Sequence, residues 1–202
     1  MDIQNQKPNS KIEKKNRIIE AAVKVFAQKG FYLAKVSDVA KAANIADGTI
    51  YLYFKSKDDL LINLFEQKME LILHRFNEGL KLITDPVEKL HRFVDLYFAL
   101  IKEDKDLADV FQVELRQSSK FLKDYHNEKF LAFLSLIKNI IIEGMDNGFF
   151  KTDLNPDVVK IMIFGTVDEV ARQWILGADA IYSLEEAGEN IKHILTNGLI
   201  VF

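Results

Sequence analysis

The chain has 202 residues, 49% of them hydrophobic and 28% charged, with no cysteine, three prolines and nine glycines. That length suits one domain of ordinary size or two small ones, and the balance is globular, not disordered. The missing cysteines exclude disulfides, thiolate zinc sites, iron–sulfur clusters and a cysteine nucleophile, and they suit a reducing, cytoplasmic setting. No secretory signal follows the early lysines, and no segment has the apolar length of a membrane span.

The net charge of −3 is unevenly spread. Residues 1–60 carry eleven Lys/Arg against seven Asp/Glu; the remainder carries sixteen against twenty-three. A basic head on an acidic body points either to a polyanion-binding head or to a solvated basic surface.

In chain order the pattern is helical throughout. Ile12, Ile18, Ile19, Ala22, Val23, Phe26 and Ala27 recur at helical spacing, and Gly30 stands where a helix stops. Val36, Val39, Ala40 and Ala43 give a short second face, and Asp47 to about Phe54 a third short piece. Ser56 with Asp59 reads as a capping box opening a helix to about Leu82. Asp85-Pro86 places a cap and a first-turn proline, after which Val87, Leu90, Val94, Tyr97 and Ile101 share one face. A helix from about Leu107 to Gln117 should break at Ser118-Ser119, and the next runs from about Phe121 to near Gly148. Asn155-Pro156 repeats the cap-plus-proline device for a helix to Gly177, and Ser183 with Glu186 opens the last one. The fold class is all-α, with about nine helices.

From Val158 to Ile175 apolar residues cover most of the helix circumference, so that helix must be buried on two sides. It is either central in the core, or it faces the core on one side and a second subunit on the other. The last helix is also apolar, through Leu184, Ile191, Ile194, Leu195, Leu199 and Ile200. Two such helices can form a four-helix interface across a two-fold axis, the geometry of a homodimer.

The segment Val36 to Lys57 carries the function. Two short helices meet at a tight turn, Asn44-Ile45, and asparagine tolerates the left-handed conformation such a corner needs. Ala40 and Ala43 let the helices cross closely, and Ile45 and Ile50 plug the angle between them. That is the construction of a helix-turn-helix. The run Gly48-Thr49-Ile50-Tyr51-Leu52-Tyr53-Phe54-Lys55-Ser56-Lys57, preceded by Val36-Ser37-Asp38-Val39-Ala40, resembles the TetR family of bacterial transcriptional regulators. Ala34-Lys35 and Asn44-Ile45-Ala46 depart from the threonine pair and the glycine-valine-serine turn of many members.

The resemblance implies a disordered tail over 1–10, a three-helix DNA-binding domain over 11–56 and an effector-binding and dimerisation domain over 57–202. It implies double-stranded, palindromic operator DNA and a small hydrophobic effector as partners, with no membrane, no metal and no resident cofactor. Gly48 allows close approach to DNA; Thr49 offers a hydroxyl and a methyl; Tyr51 and Tyr53 extend phenolic hydroxyls. Lys35, Lys55 and Lys57 neutralise phosphate charge, and Ser37 sits near exposed helix N–H groups. Phe54 packs the small domain.

Glu114-Leu115-Arg116-Gln117-Ser118 and the run from Met162 to Glu169, followed by Trp174, extend the likeness to the FadR-type repressors of fatty-acid degradation. Those repressors bind long-chain acyl-CoA and then leave their operators. Their effector needs an apolar tunnel, for which Phe98, Phe111, Leu115, Phe133 and Phe164 are candidate walls, and a cation for the CoA phosphates, for which Arg116 is a candidate. Arg116 could equally pair with Glu114 or Asp168, and Asp168, Glu169 and Arg172 could form only a structural group.

Two rivals use the same residues differently. A regulator of an efflux pump would line its pocket with the same phenylalanines. An acyl-CoA-handling enzyme would need a nucleophile with a base or paired carboxylates in a cleft, and His74, His91, His126 and His193 stand alone in sequence. The pattern reads as no enzyme. A plain helical interaction module would leave the basic head unexplained.

Overall fold

The computed structural model describes residues 7–115, 128–177 and 182–200. Among them lie nine α-helices: α1 (Lys7–Lys29), α2 (Val36–Ala42), α3 (Asp47–Ile50), α4 (Lys57–Leu80), α5 (Pro86–Glu103), α6 (Lys105–Asp109), α7 (Glu128–Asp146), α8 (Pro156–Leu176) and α9 (Leu184–Leu199). A five-residue π-helical segment, Val110–Glu114, follows α6. An isolated antiparallel bridge joins Phe150 to Ile200.

The helix ends follow from local chemistry. The Asp85 carboxylate accepts from the N–H groups of Val87 and Glu88, and the Asn155 side chain from that of Asp157. Each satisfies donors that the first turn leaves unpaired, with a proline where a missing N–H costs nothing. Ser183 Oγ accepts from the Glu186 N–H at 3.1 Å. Gly30 and Gly177 take φ of +75° and +61° at helix ends, and Asn44 takes +53° at the corner after α2. These positions demand the left-handed region, where glycine and asparagine are least strained.

Two expectations change. Helix α1 begins at Lys7, inside the stretch read as a tail. Residues 7–10 are polar and carry no apolar period to announce a helix, while Pro8 falls in a first turn that accepts it. The helix expected over 107–117 is two pieces, α6 and the π segment. The break at Ser118-Ser119 and the helix start at Phe121 lie outside the described residues.

The chain forms two compact units. The first holds the described residues through Gln67 together with the segment from Asp109; the second holds Lys68–Ala108 and the chain from Glu128 onward. The boundary expected between 56 and 57 lies within the first unit. What the sequence marks there is a helix cap, and α4 continues unbroken to Leu80.

In the first unit Ile18, Ile19, Phe26, Val39, Ile50, Phe54, Leu60 and Leu64 are buried. In the second the core is aromatic: the Phe76, Phe93 and Phe133 ring centroids lie 5.0 to 5.5 Å from one another. The two edge-to-face pairs, Phe76 with Phe93 and with Phe133, add about 0.5–1.5 kcal/mol each to the burial of their area. The chain after α7 turns back so tightly that a Cβ on Gly144 would lie 2.0 Å from the Phe150 ring.

Candidate nucleic-acid interface and effector region

The helix-turn-helix is held at both ends by charge. The Asp38 carboxylate accepts from Lys29 Nζ at 2.7 Å and from the Lys35 N–H at 3.0 Å. The Lys29 bond, then the Lys35 amide, holds this carboxyl below its ordinary value. At the corner the N–H groups of Asn44 and Ile45 donate to Lys41 O and Ala40 O at 3.1 and 3.0 Å. The Ser56 hydroxyl accepts from the Asp59 N–H, and the Asp59 carboxylate accepts from the Lys55 N–H.

Lys35, Ser37, Gly48, Tyr51 and Lys55 are exposed, and Thr49 and Tyr53 are half-buried. Tyr51 is 60% exposed, whereas its neighbours in the same short run, Ile50 and Phe54, are each 1% exposed. The motif thus divides cleanly into residues the core uses and residues it does not, and Phe54 packs as expected. A Cβ on Gly48 would meet nothing within 4 Å, so no contact inside the chain requires a glycine there. An open groove lined by Ser37, Asp38, Lys41, Asn44, Ile45, Ala46 and Asp47 runs along this face. Lys41 adds a cation that the sequence reading omitted; its spacing four residues after Ser37 on one helix face was the available signal.

Lys57, expected to neutralise phosphate charge, is engaged by backbone carbonyls. Its ammonium donates to Phe31 O at 2.6 Å, Ala34 O at 3.0 Å and Tyr32 O at 3.1 Å. It also stands 4.6 Å from the centre of the Phe31 ring. An ammonium has three donors, and all three are matched to carbonyls of the α1–α2 turn. Lys57 therefore fastens that turn to the start of α4.

Among the described residues expected to meet an effector, Phe133 and Phe164 are brought together. Phe133 and Phe164 lie 6.3 Å apart in the second unit, with Phe130 at 5.1 Å and Tyr97 at 6.3 Å from Phe164. Tyr97 donates its hydroxyl to Asp168 at 3.0 Å. Phe98 is turned elsewhere: it packs against α9, where a Cβ on Gly188 would lie 3.4 Å from its ring. Phe111 stacks with Phe65 at 5.1 Å, and Leu115 is buried; both belong to the first unit. Arg116 lies outside the described residues. Arg172 pairs with Glu169 at 2.8 Å on its own helix.

Helix α8 is apolar on two faces, as its composition requires. Val159, Ile163, Val167 and Ala171 are buried, while Val158, Ile161 and Met162 are exposed, Met162 at 65%. Gly165 continues this outer stripe with open space beside it. On α9, Ile194 is 68% exposed. No helix among the described residues is long and apolar enough to cross a membrane.

Comparison with known proteins supplies the context for these faces. Residues 18–64 match the tetR family of bacterial regulatory proteins, and residues 65–198 match the C-terminal region of YsiA-like proteins. The fatty acid metabolism regulator protein of Bacillus subtilis (strain 168) is 39% identical over 183 residues, covering 91% of this chain and 94% of that one. The structure of the transcriptional regulator FadR from Bacillus subtilis in complex with stearoyl-CoA superposes with a TM-score of 0.84 at 39% identity, covering 91% of this chain and 98% of that one. The fatty acid degradation regulator FadR from Bacillus halodurans gives 0.85 at 40% identity, covering 92% and 95%. These relatives are regulators, not enzymes, and the likeness spans both units. With both halves matched and this identity sustained along nearly the whole length, the chain belongs to the tetR family of bacterial transcriptional regulators.

Proposed function

We propose that this protein is a cytoplasmic, homodimeric repressor of fatty-acid degradation genes that leaves a palindromic operator when it binds long-chain acyl-CoA. The observation that carries the reading is the 39% identity, across both units, to a FadR whose structure holds stearoyl-CoA. Lys35, Ser37, Gly48, Thr49, Tyr51, Tyr53 and Lys55 are the DNA-reading set, joined by Lys41. Their hydroxyls, cations and the open Gly48 backbone suit phosphates and groove edges. The outer stripe of α8 with Ile194 of α9 is the dimer face, because a patch of that kind calls for a partner. A dimer sets two reading heads about 34 Å apart, on successive turns of the duplex. Phe133 and Phe164 are acyl-chain walls, and each buried methylene contributes about 0.8 kcal/mol.

An effector acts as a switch only by binding the two head arrangements with different affinity. The test uses a duplex selected from a random pool by the full-length protein. Palmitoyl-CoA at about 10 μM, in the range of an ordinary effector affinity, should release that duplex in a mobility-shift assay. Native mass spectrometry should give twice the 23.2 kDa chain mass, with acyl-CoA adducts. Release by ethidium with no response to palmitoyl-CoA would instead restore the efflux-pump reading.

A further inference from the structure

We infer that Glu114 is a positioning residue that couples effector binding to the DNA-reading head, an inference that rests on the acyl-CoA reading above. The Glu114 side chain is 5% exposed and accepts a hydrogen bond from the backbone N–H of Phe31. A buried carboxylate is costly unless its oxygens are matched, so this acceptor is held in place. The fit around it is close: a Cβ on Gly30 would lie 3.5 Å from Glu114 Oε2.

Phe31 is a junction. Its amide is held by Glu114, its carbonyl and ring by Lys57 at the start of α4, and its ring stacks edge-on against Phe26 of α1. Five residues later α2 begins. The π segment that presents Glu114 is a detour of the chain: Ala108 ends a stretch of the second unit, Asp109 onward belongs to the first, and the second resumes beyond it. A strain reaching the Ala108–Asp109 link from the second unit is delivered to the Phe31 amide. The π winding itself is a less stable arrangement than an α turn and commonly marks functional positions. The Glu114–Phe31 bond thus holds the α1–α2 turn, and with it the head, in the operator-reading arrangement. Effector binding works by releasing that bond, a differential contact of the kind coupling requires.

Glu114→Ala should weaken binding of the selected duplex by at least tenfold and, since the effector no longer has to release the bond, should tighten palmitoyl-CoA binding, while leaving helical content and dimer mass near native. Its residual DNA binding should respond less than threefold to saturating palmitoyl-CoA. Glu114→Gln keeps an acceptor oxygen and should restore most of both properties, whereas Glu114→Met, of similar size but with no oxygen acceptor, should not; a merely space-filling role would be rescued by both. In the unaltered protein, hydrogen exchange at the Phe31 amide should be slow and should quicken at least tenfold when palmitoyl-CoA is added; this stands even if Glu114→Ala does not fold. Native-like duplex affinity in Glu114→Ala, or a Phe31 amide indifferent to bound palmitoyl-CoA, overturns the inference. If palmitoyl-CoA neither binds nor releases DNA from the native protein, the effector reading fails instead, and the duplex affinity of Glu114→Ala, or of Glu114→Gln if the alanine variant does not fold, still decides whether the bond holds the head.

Discussion

The two units use their large side chains in opposite ways. In the first, a short motif separates the work by residue: Ile50 and Phe54 are buried, while Tyr51 and Lys55 beside them are left to solvent. In the second, Phe76, Phe93 and Phe133 form the core, and Phe133, with half-buried Phe164 against it, is also a proposed acyl-chain wall. A surface that the core does not need can be altered without unfolding the protein. A binding wall made of core residues cannot, so binding and stability are entangled there.

The sharpest break of that contrast is Phe133→Ala. It opens a cavity among Phe76, Phe93 and Phe164 and should cost about 3–5 kcal/mol, read by urea unfolding. A loss under about 1 kcal/mol would make Phe133 a free wall and end the entanglement. On the head, Lys57→Met removes donors from two part-buried carbonyls and one exposed carbonyl and should destabilise by about 2 kcal/mol. Lys55→Met, two residues away and exposed, should leave stability within about 0.5 kcal/mol but lower the salt slope of DNA binding by about 1. If the two lysines exchange these phenotypes, the division into structural and reading residues is mistaken. The smallest effect is in acid. Hydrogen bonds from Lys138, then Lys160, hold the Asp157 carboxyl at about 2. Its folded value is depressed, so the stability it brings is full above the ordinary 3.8 and is lost as pH falls towards about 2. Asp157→Asn should flatten the fall of melting temperature over that interval; parallel curves would remove this cluster from the account.

The same contrast explains what could be read from the chain beforehand. Asp85-Pro86, Asn155-Pro156, Gly30 and Asn44 were legible because each cap or corner is made by residues a few positions apart. The split of the motif into buried and exposed residues was legible for the same reason, but the hold of Lys57 was not, because its carbonyl partners lie 23 to 26 residues away. Phe98 and Phe133 could not be told apart, since both are apolar residues at helical spacing. Only tertiary packing turns one toward Gly188 and the other toward Phe164. The two-faced α8 was legible from composition, but which face meets solvent was not.

The wide winding at Val110–Glu114, where the Leu115 N–H reaches back five residues to the Val110 carbonyl, has an evolutionary corollary. Such a loop of backbone accommodates one residue more than the ordinary turn. Deleting a single position there would let the chain relax to standard pitch and would swing the carboxylate by about 100°. Length at this spot is therefore as restrictive as residue identity, and a descendant that trims it would lose its grip on Phe31 with every other side chain unchanged.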